Sequence, residues 1–411
     1  MALSQTHSAM LKRYMKEEIF EAKLAERSYV WKTMKKNYDW AGGVYEIPVK
    51  TNGFNSVQFG SLPAANDIAE AAEVMGTVTS QKELAMTAIF NERDLQRHGY
   101  SEQTYIKSIL QMAEELPLIA ADQIESNLLR GYGAIGKAVA NGAVGGTITV
   151  ENPALFQPQM KVEVDDDDSV LATGYVRTVD INTGVLTIFN ARSGGAVVDL
   201  SAYTTAQNAV VRIVGSGSEK FLDLRTALLP ASVAGGSDTL YGLTKADAMT
   251  LQAKRASGAS YTAATILKDL LKEFYANRKL GRGNITEIWC STGAFANAAI
   301  NLEAGRQYVV KDRSAGFGFN SISLVGNEGE VKLVGLNSCP DDTAFFVDWD
   351  AIKFAGQKMK KKMYGEAGQE YFTVRNTTGI QFISDMVLAG DIIINPGKMG
   401  IVHSIPSSVS A

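Results

Sequence analysis

The spacing of apolar positions changes several times along the chain, and each change predicts a different kind of element. From Ser8 to Lys36, Leu11, Met15, Ile19 and Phe20 recur at helical spacing among lysines and glutamates, which predicts an amphipathic helical arm. From Gly43 to Lys50, Tyr45, Ile47 and Val49 alternate with other residues. A polar, alanine-rich stretch follows from Thr51 to Gly76, and then Leu84, Met86, Ala88 and Phe90 alternate again. The region from Gly42 to Glu92 is thus expected to be a protruding hairpin, two strand limbs joined by a long excursion. Limbs of roughly 20 residues at about 3.3 Å each reach ~60 Å, against a radius of gyration of ~22 Å for a compact chain of this length. Ordering such an arm costs about 1–2 kcal/mol per residue, and an isolated two-stranded hairpin is marginal in water. A neighbouring subunit is the natural support.

The longest predicted helix runs from Ser101 to Leu129, where Tyr105, Ile106, Ile109, Leu110, Leu116, Ile119, Ile124 and Leu128 trace one stripe. Pro117 should bend it, and Gly131 and Gly133 should end it. Between Gly145-Gly146 and Gly215-Ser216-Gly217-Ser218 the pattern turns to short strands: Thr147–Val150, Met160–Val164, Tyr175–Val179, Val185–Phe189 and Ala209–Val214. Glycine-rich borders around a self-contained β unit predict a small barrel inserted into a larger domain. Beyond it, a helix is expected over Tyr261–Asn277, a buried strand over Ile285–Cys290, and a helix capped by Ser291 and running to Leu302. Strand-like runs then dominate: Val331–Val334, Thr343–Val347, Tyr371–Val374 and Ile392–Ile394.

Composition narrows the function classes. The 411 residues, 45% hydrophobic, can bury a large core in two or three units, and a formal charge of -4 argues against a global nucleic-acid binder. The first ten residues hold no apolar signal core, and no window is long and apolar enough to span a bilayer, so a soluble protein is expected. Two widely spaced cysteines, Cys290 and Cys339, form neither a disulfide framework nor a metal set and fit a reducing compartment. Charge is unevenly placed: Met1–Lys36 holds 8 Lys/Arg against 4 Glu, whereas Gly42–Glu92 holds six carboxylates against Lys50 and Lys82.

The motifs that would signal chemistry are incomplete. Gly131, Gly133 and Gly136 match the dinucleotide fingerprint, and Gly131 with Gly136-Lys137 nearly matches a phosphate-binding loop. Both need a strand before and a helix after, and Ala138 stands where a hydroxyl should be. Helix termination is the preferred reading. Asp165–Asp168 lacks the ligand spacing of a calcium loop and reads as a solvated turn. His7, His98 and His403 lie far apart, with no catalytic or zinc motif around them. The basic run Lys358, Lys360, Lys361, Lys362 beside Lys353 reads first as a solvated strand or an ion-pairing surface, and second as a phosphate contact. No catalytic, cofactor-binding or metal residue is assigned, and no cofactor is expected.

The order of basic arm, long hairpin, long helix ending in glycines and mixed α/β region resembles the Hong Kong 97 capsid fold of tailed-bacteriophage major capsid proteins. The resemblance spans nearly the whole chain. Its most recognisable pieces are Trp40-Ala41-Gly42-Gly43-Val44-Tyr45-Glu46-Ile47-Pro48-Val49, like the entry into the extended loop, and Ser126-Asn127-Leu128-Leu129-Arg130-Gly131-Tyr132-Gly133, like the end of the spine helix. Phe345–Asp350, Gln381–Asp385 and Asn395–Lys398 are similar to the return from axial to peripheral domain. The resemblance implies an α+β fold divided as 1–41, amino-terminal arm; 42–92, extended loop; 93–141 with 351–380, peripheral domain; 142–217, inserted β-barrel; and 218–350 with 381–411, axial domain.

It further implies a non-enzymatic major capsid protein, self-assembling through hexamers and pentamers into an icosahedral shell around double-stranded DNA. Assembly would occur in the host cytoplasm with a separate scaffolding protein and a portal, and a decoration protein is a further candidate partner; no membrane is involved. An encapsulin-like compartment is the alternative within the fold, and a nucleotide-binding enzyme the alternative outside it. Candidate subunit-interface residues are Tyr45, Ile47, Val49, Lys50, Asp67, Glu70, Glu73, Lys82 and Glu83, on an acidic arm that would seek a basic neighbour. Candidate DNA-facing residues are Lys12, Arg13, Lys16, Lys35 and Lys36, making weak, sequence-independent contact.

Overall fold

The computed structural model describes residues 16–40, 42–51, 73–91, 102–131, 134–166, 171–205, 209–215, 220–233, 235–280, 283–305, 321–326, 329–364, 372–376 and 379–409, with side chains of the long helix from residue 114 onward. The arm forms helices α1 (Glu17–Arg27) and α2 (Tyr29–Thr33) and strand β1 (Lys35–Asn37). Its periodicity is interrupted at Ser28, which caps α2 by accepting the Trp31 N–H at 3.1 Å. Phe20 and Leu24 are fully buried, while Ile19, expected on the apolar face, is largely exposed. Leu11 and Met15 lie outside the described residues.

Strand β2 (Tyr45–Lys50) pairs antiparallel with β3 (Glu73–Val78), six residues against six. The second expected limb is different: β4 (Lys82–Asn91) does not return along β2 but pairs with a strand near the carboxyl terminus. The hairpin therefore closes earlier than the alternation suggested. Leu84, Met86 and Ala88 alternate because β4 lies in a sheet of the body, where Met86 and Ala88 are buried.

Helix α3 (Glu102–Arg130) has 29 residues and remains continuous across Pro117. Ala120, Ala121, Ile124 and Leu128 fall on one side and are buried in the main core. Gly131, at φ +78°, ends the helix in the left-handed conformation that glycine adopts without penalty.

Six strands then close a barrel: β5 (Ala134–Ala140), β6 (Thr147–Val150), β7 (Lys161–Asp165), β8 (Leu171–Val179), β9 (Val185–Phe189) and β10 (Val210–Ile213), in the order β10-β5-β6-β9-β8-β7. Its interior is filled by Ile148, Val162, Val164, Leu186, Ile188, Val211 and their neighbours. The barrel starts at Ala134 rather than at 142. Alanine and glycine in β5 hide the strand signal, and the reason is packing: a Cβ on Gly136 would stand 2.9 Å from the Phe156 ring. The glycines of the near-miss phosphate loop thus end a helix and line a barrel wall.

The remainder builds two six-stranded sheets. After α4 (Leu224–Leu228) and a two-rung hairpin, β11 (Thr239–Leu240) with β12 (Leu243–Thr244), come β13 (Lys254–Ser257), α5 (Ile266–Lys279), β14 (Glu287–Cys290) and α6 (Thr292–Gly305). Ser291 accepts the Ala294 N–H at 3.3 Å at the start of α6, as its position before the helix predicts. Next are β15 (Ser321–Gly326), β16 (Gly329–Gly335), β17 (Ala344–Val347), β18 (Ile352–Gly356), β19 (Lys360–Lys361), β20 (Phe372–Asn376), β21 (Gly379–Ile394) and β22 (Gly400–His403). One sheet has the order β13-β22-β17-β14-β16-β15 and is covered by α5 and α6. Its central strands are buried on both faces: in β17, Phe345 and Val347 enter the main core, and Ala344 and Phe346 enter the core beneath the helices.

The other sheet is organised by the 16-residue β21. Strand β4 runs along one of its edges, and β18, β19 and β20 pair in succession along the other. The arm strand β1 joins outside β18, in parallel. All of β21 belongs to this sheet, so the expected division at 380/381 falls inside one strand. The change of sheet comes after Ile394, before β22.

Candidate assembly surfaces

The hairpin base is bound to its own subunit. Along β2 the exposed and covered positions alternate: Glu46, Pro48 and Lys50 face outward, while Tyr45 and Ile47 are half-buried and Val49 is buried. Tyr45 packs at 5.2 Å on Trp40, and with Ile47 it joins a small cluster around Trp40, Ala355 and Ile393. Two backbone ties reinforce this seat. The Thr77 N–H donates to the Tyr241 carbonyl at 3.0 Å, and the Thr250 hydroxyl donates to the Lys50 carbonyl at 3.1 Å. Tyr45, Ile47 and Val49 are therefore seat residues rather than a face offered to a neighbour, the period-2 pattern having reported burial in the subunit itself. Lys50 and Glu73 remain exposed, 3.9 Å apart across the hairpin. Lys82 is half-buried and Glu83 exposed on β4. Asp67 and Glu70 lie outside the described residues.

The arm is likewise engaged. Arg27 forms a two-pronged contact with Asp122 of α3 at 2.9 and 3.1 Å, and Ser28 donates to Glu125 at 2.6 Å. Lys16 is exposed ahead of α1. Lys35 meets Asp350 at 2.5 Å, and Lys36 lies 5.2 Å over the Trp31 ring, where burial pushes its pKa down against the pull of Glu21. Lys12 and Arg13 lie outside the described residues. Pairing of β1 with β18 sets Lys35 opposite Lys353. The amino-terminal charge and the Lys358–Lys362 run, some 320 residues apart, thereby meet at one sheet edge.

Where the barrel joins the body, charges are paired and buried. Arg130, the last residue of α3, contacts Glu151 of the barrel, with side-chain exposures of 3% and 8%. Lys137 of β5 reaches Asp342 at 2.8 Å, and Arg225 of α4 reaches the same carboxylate at 2.9 Å. Burial pushes the Asp342 carboxyl up, but Arg225 and Lys137 outweigh it and hold it far below the usual carboxylate range. Sequence reading missed this network because its members lie on four separate segments. Lys245 is also buried, donating to the Thr226 and Leu229 carbonyls at 2.6 and 2.9 Å, and burial with the nearby Arg255 pushes its pKa down to about 8.

Asp391 on β21 has a different environment. It is 8% exposed and accepts the Leu222 and Ile392 N–H groups at 2.7 and 2.8 Å, yet burial outweighs these bonds and lifts its pKa to about 6. A folded pKa above the ordinary carboxylate value means that ionisation opposes folding. The penalty is absent below about pH 4, grows through pH 4–6 and is complete above, at up to about 3 kcal/mol. Asp391→Asn keeps an acceptor for both N–H groups without the charge. It should resist urea better than the parent at pH 7.5, with the advantage vanishing by about pH 4.

Cys290 and Cys339 are free and buried, and burial pushes the Cys290 thiol up to about 12. Among the described residues no cluster of three or more His, Cys, Asp or Glu is placed to hold a metal, and no helix is long and apolar enough to cross a membrane. His403 is the described histidine, its ring nitrogen 2.9 Å from the Ser404 hydroxyl; His7 and His98 lie outside. Asp165 of the acidic run pairs with Arg212 at 2.7 Å.

No family model matches the chain, and no curated protein does. Among solved structures it is similar to the capsid asymmetric unit of cyanophage A-1(L), at 9% identity over 92% of each chain, with a TM-score of 0.47. It is similar to the capsid of the native GTA particle at 9% identity, over 91% of this chain and 89% of that one, with a TM-score of 0.41. It is also similar to the SrpI encapsulin of Synechococcus elongatus at 8% identity, over 93% and 89%, with a TM-score of 0.37.

Proposed function

We propose that this chain is a shell-forming subunit, the major capsid protein of a tailed bacteriophage, which assembles through hexamers and pentamers into an icosahedral container for double-stranded DNA. The observation that carries the reading is the order and joining of its parts. A basic arm is stitched to the edge of one sheet, a hairpin is seated on the body at its base, and a 29-residue helix leads directly into a closed barrel. This is the succession that the Hong Kong 97 resemblance implies. In its terms the β21 sheet with α3 is the peripheral domain, the β17 sheet with α5 and α6 the axial domain, and the barrel an insertion at 134–213.

Binding energy in such a subunit lies in extended surfaces rather than in a pocket. Lys50, Glu73 and Glu83, with Asp67 and Glu70, are the hairpin-region residues assigned to neighbouring copies; a separate scaffolding protein and a portal complete assembly in the host cytoplasm. Negative-stain electron microscopy of the purified recombinant chain tests the reading. Closed particles, or capsomers that close when scaffolding protein is supplied, are the expected result. A protein that stays monomeric under both conditions contradicts it, and shells that co-purify with a cargo enzyme would move the assignment to an encapsulin.

A further inference from the structure

The lysines of the arm-bearing sheet edge, Lys36 half-buried and Lys353, Lys358 and Lys362 exposed, are held in an unusual way. Lys358 lies 5.9 Å over the Tyr38 ring, Lys362 lies 5.9 Å over Tyr364, Lys36 sits over Trp31, and Lys353 lies 5.6 Å over Tyr45 on the other face of the edge. The carboxylates nearby take neutral donors instead. Glu21 accepts the Tyr38 hydroxyl, Asp385 accepts the Tyr364 hydroxyl, and Glu17 accepts the Lys361 backbone N–H at 3.0 Å. Among the described residues Lys35 pairs with Asp350. At the barrel junction the reverse holds, and Arg130, Lys137 and Arg225 each meet a carboxylate, as Arg212 does within the barrel.

An aromatic face attracts an ammonium group but does not cancel its charge, whereas a carboxylate does. The edge therefore holds its lysines in place, and among the described residues Lys36, Lys353, Lys358, Lys360, Lys361 and Lys362 outnumber Glu17, Glu21 and Asp385, which leaves its field positive. We infer that this edge, centred on Lys358, Lys360 and Lys362, is a contact surface for the phosphate backbone of duplex DNA. The inference rests on the shell reading for its biological setting. Phosphate backbones suit it better than an acidic protein does. A protein partner needs several apolar anchor sites at the centre of its contact, and here lysines cover the ring faces and leave Met363 as the exposed apolar side chain of the run. Lysine heads, as compact point charges, meet phosphates without demanding fixed geometry, and the resulting contact is sequence-independent and salt-sensitive.

The test uses the full chain and a fluorescent duplex of about 30 base pairs, with anisotropy followed across added salt. The triple variant K358Q/K360Q/K362Q should bind at least tenfold more weakly at low salt and lose about 2–3 from the log–log salt slope. The variant with arginine at the same three positions should bind like the parent. K268Q/K272Q/K279Q, which removes three exposed lysines from α5, should stay within about twofold. Equal weakening by both glutamine triples, or none from the edge triple, overturns the inference. So does an edge triple that loses binding to poly-glutamate while holding duplex as the parent does, which would assign the edge to an acidic protein. Particle formation is scored separately by microscopy, so loss of the shell reading and loss of the DNA edge give different results.

Discussion

Replacing residues 52–72 by a short glycine-serine link should leave a folded subunit that no longer closes into shells. The base of the hairpin does not depend on that stretch: six residue pairs join β2 to β3, Val49 is buried, and the Thr77 and Thr250 hydrogen bonds tie both strands to the body. Thermal unfolding of the shortened chain should thus stay close to that of the parent. What the replacement removes is the stretch that the shell reading assigns to neighbouring copies, including Asp67 and Glu70. We expect closed particles, counted by electron microscopy and sedimentation, to fall by more than tenfold. Normal particles from the shortened chain would refute the assignment of the hairpin to neighbouring copies.

Asp342→Ala should be the most destabilising single change outside the apolar core. It leaves Arg225, whose side chain is 4% exposed, and Lys137 facing each other without their shared carboxylate. Breaking a buried pair from one side costs about 3–5 kcal/mol, because the remaining charge stays buried and unpaired. Pairing Asp342→Asn with Lys137→Met should recover part of the loss, since it removes one of the stranded charges as well. Urea unfolding followed separately by barrel and body fluorescence would show whether the barrel loosens first. An Asp342→Ala protein as stable as the parent would mean that the junction is held by packing alone.

Periodicity carried far into this fold where burial is one-sided and failed where neighbours decide. The α3 stripe, the β17 run and five of the six barrel strands stand out because their residues are large and apolar. Strand β5 did not, since Gly136 must be small beneath Phe156 and a small residue carries little pattern. The two hairpin limbs were each recognised as strands but assigned to each other, because alternation reports which face of a strand is buried and says nothing about its partner. The same limit applies to the assembly surfaces. The Tyr45, Ile47 and Val49 alternation reported an internal seat, while the meeting of the arm with the Lys358 run depends on a parallel pairing that no local signal encodes.

Strand β21 has a mechanical consequence. Because β4 grips one edge over ten residues and three shorter strands grip the other, a pull along β21 loads many hydrogen bonds at once. The arm's own strand holds the sheet by only three rungs of β1 on β18, while its helices are held by Phe20, Leu24 and Trp31 in the core and by Arg27 on Asp122. Under such a load β1 would part from β18 before the sheet around β21 sheared, so the edge can yield locally while the sheet keeps its shape.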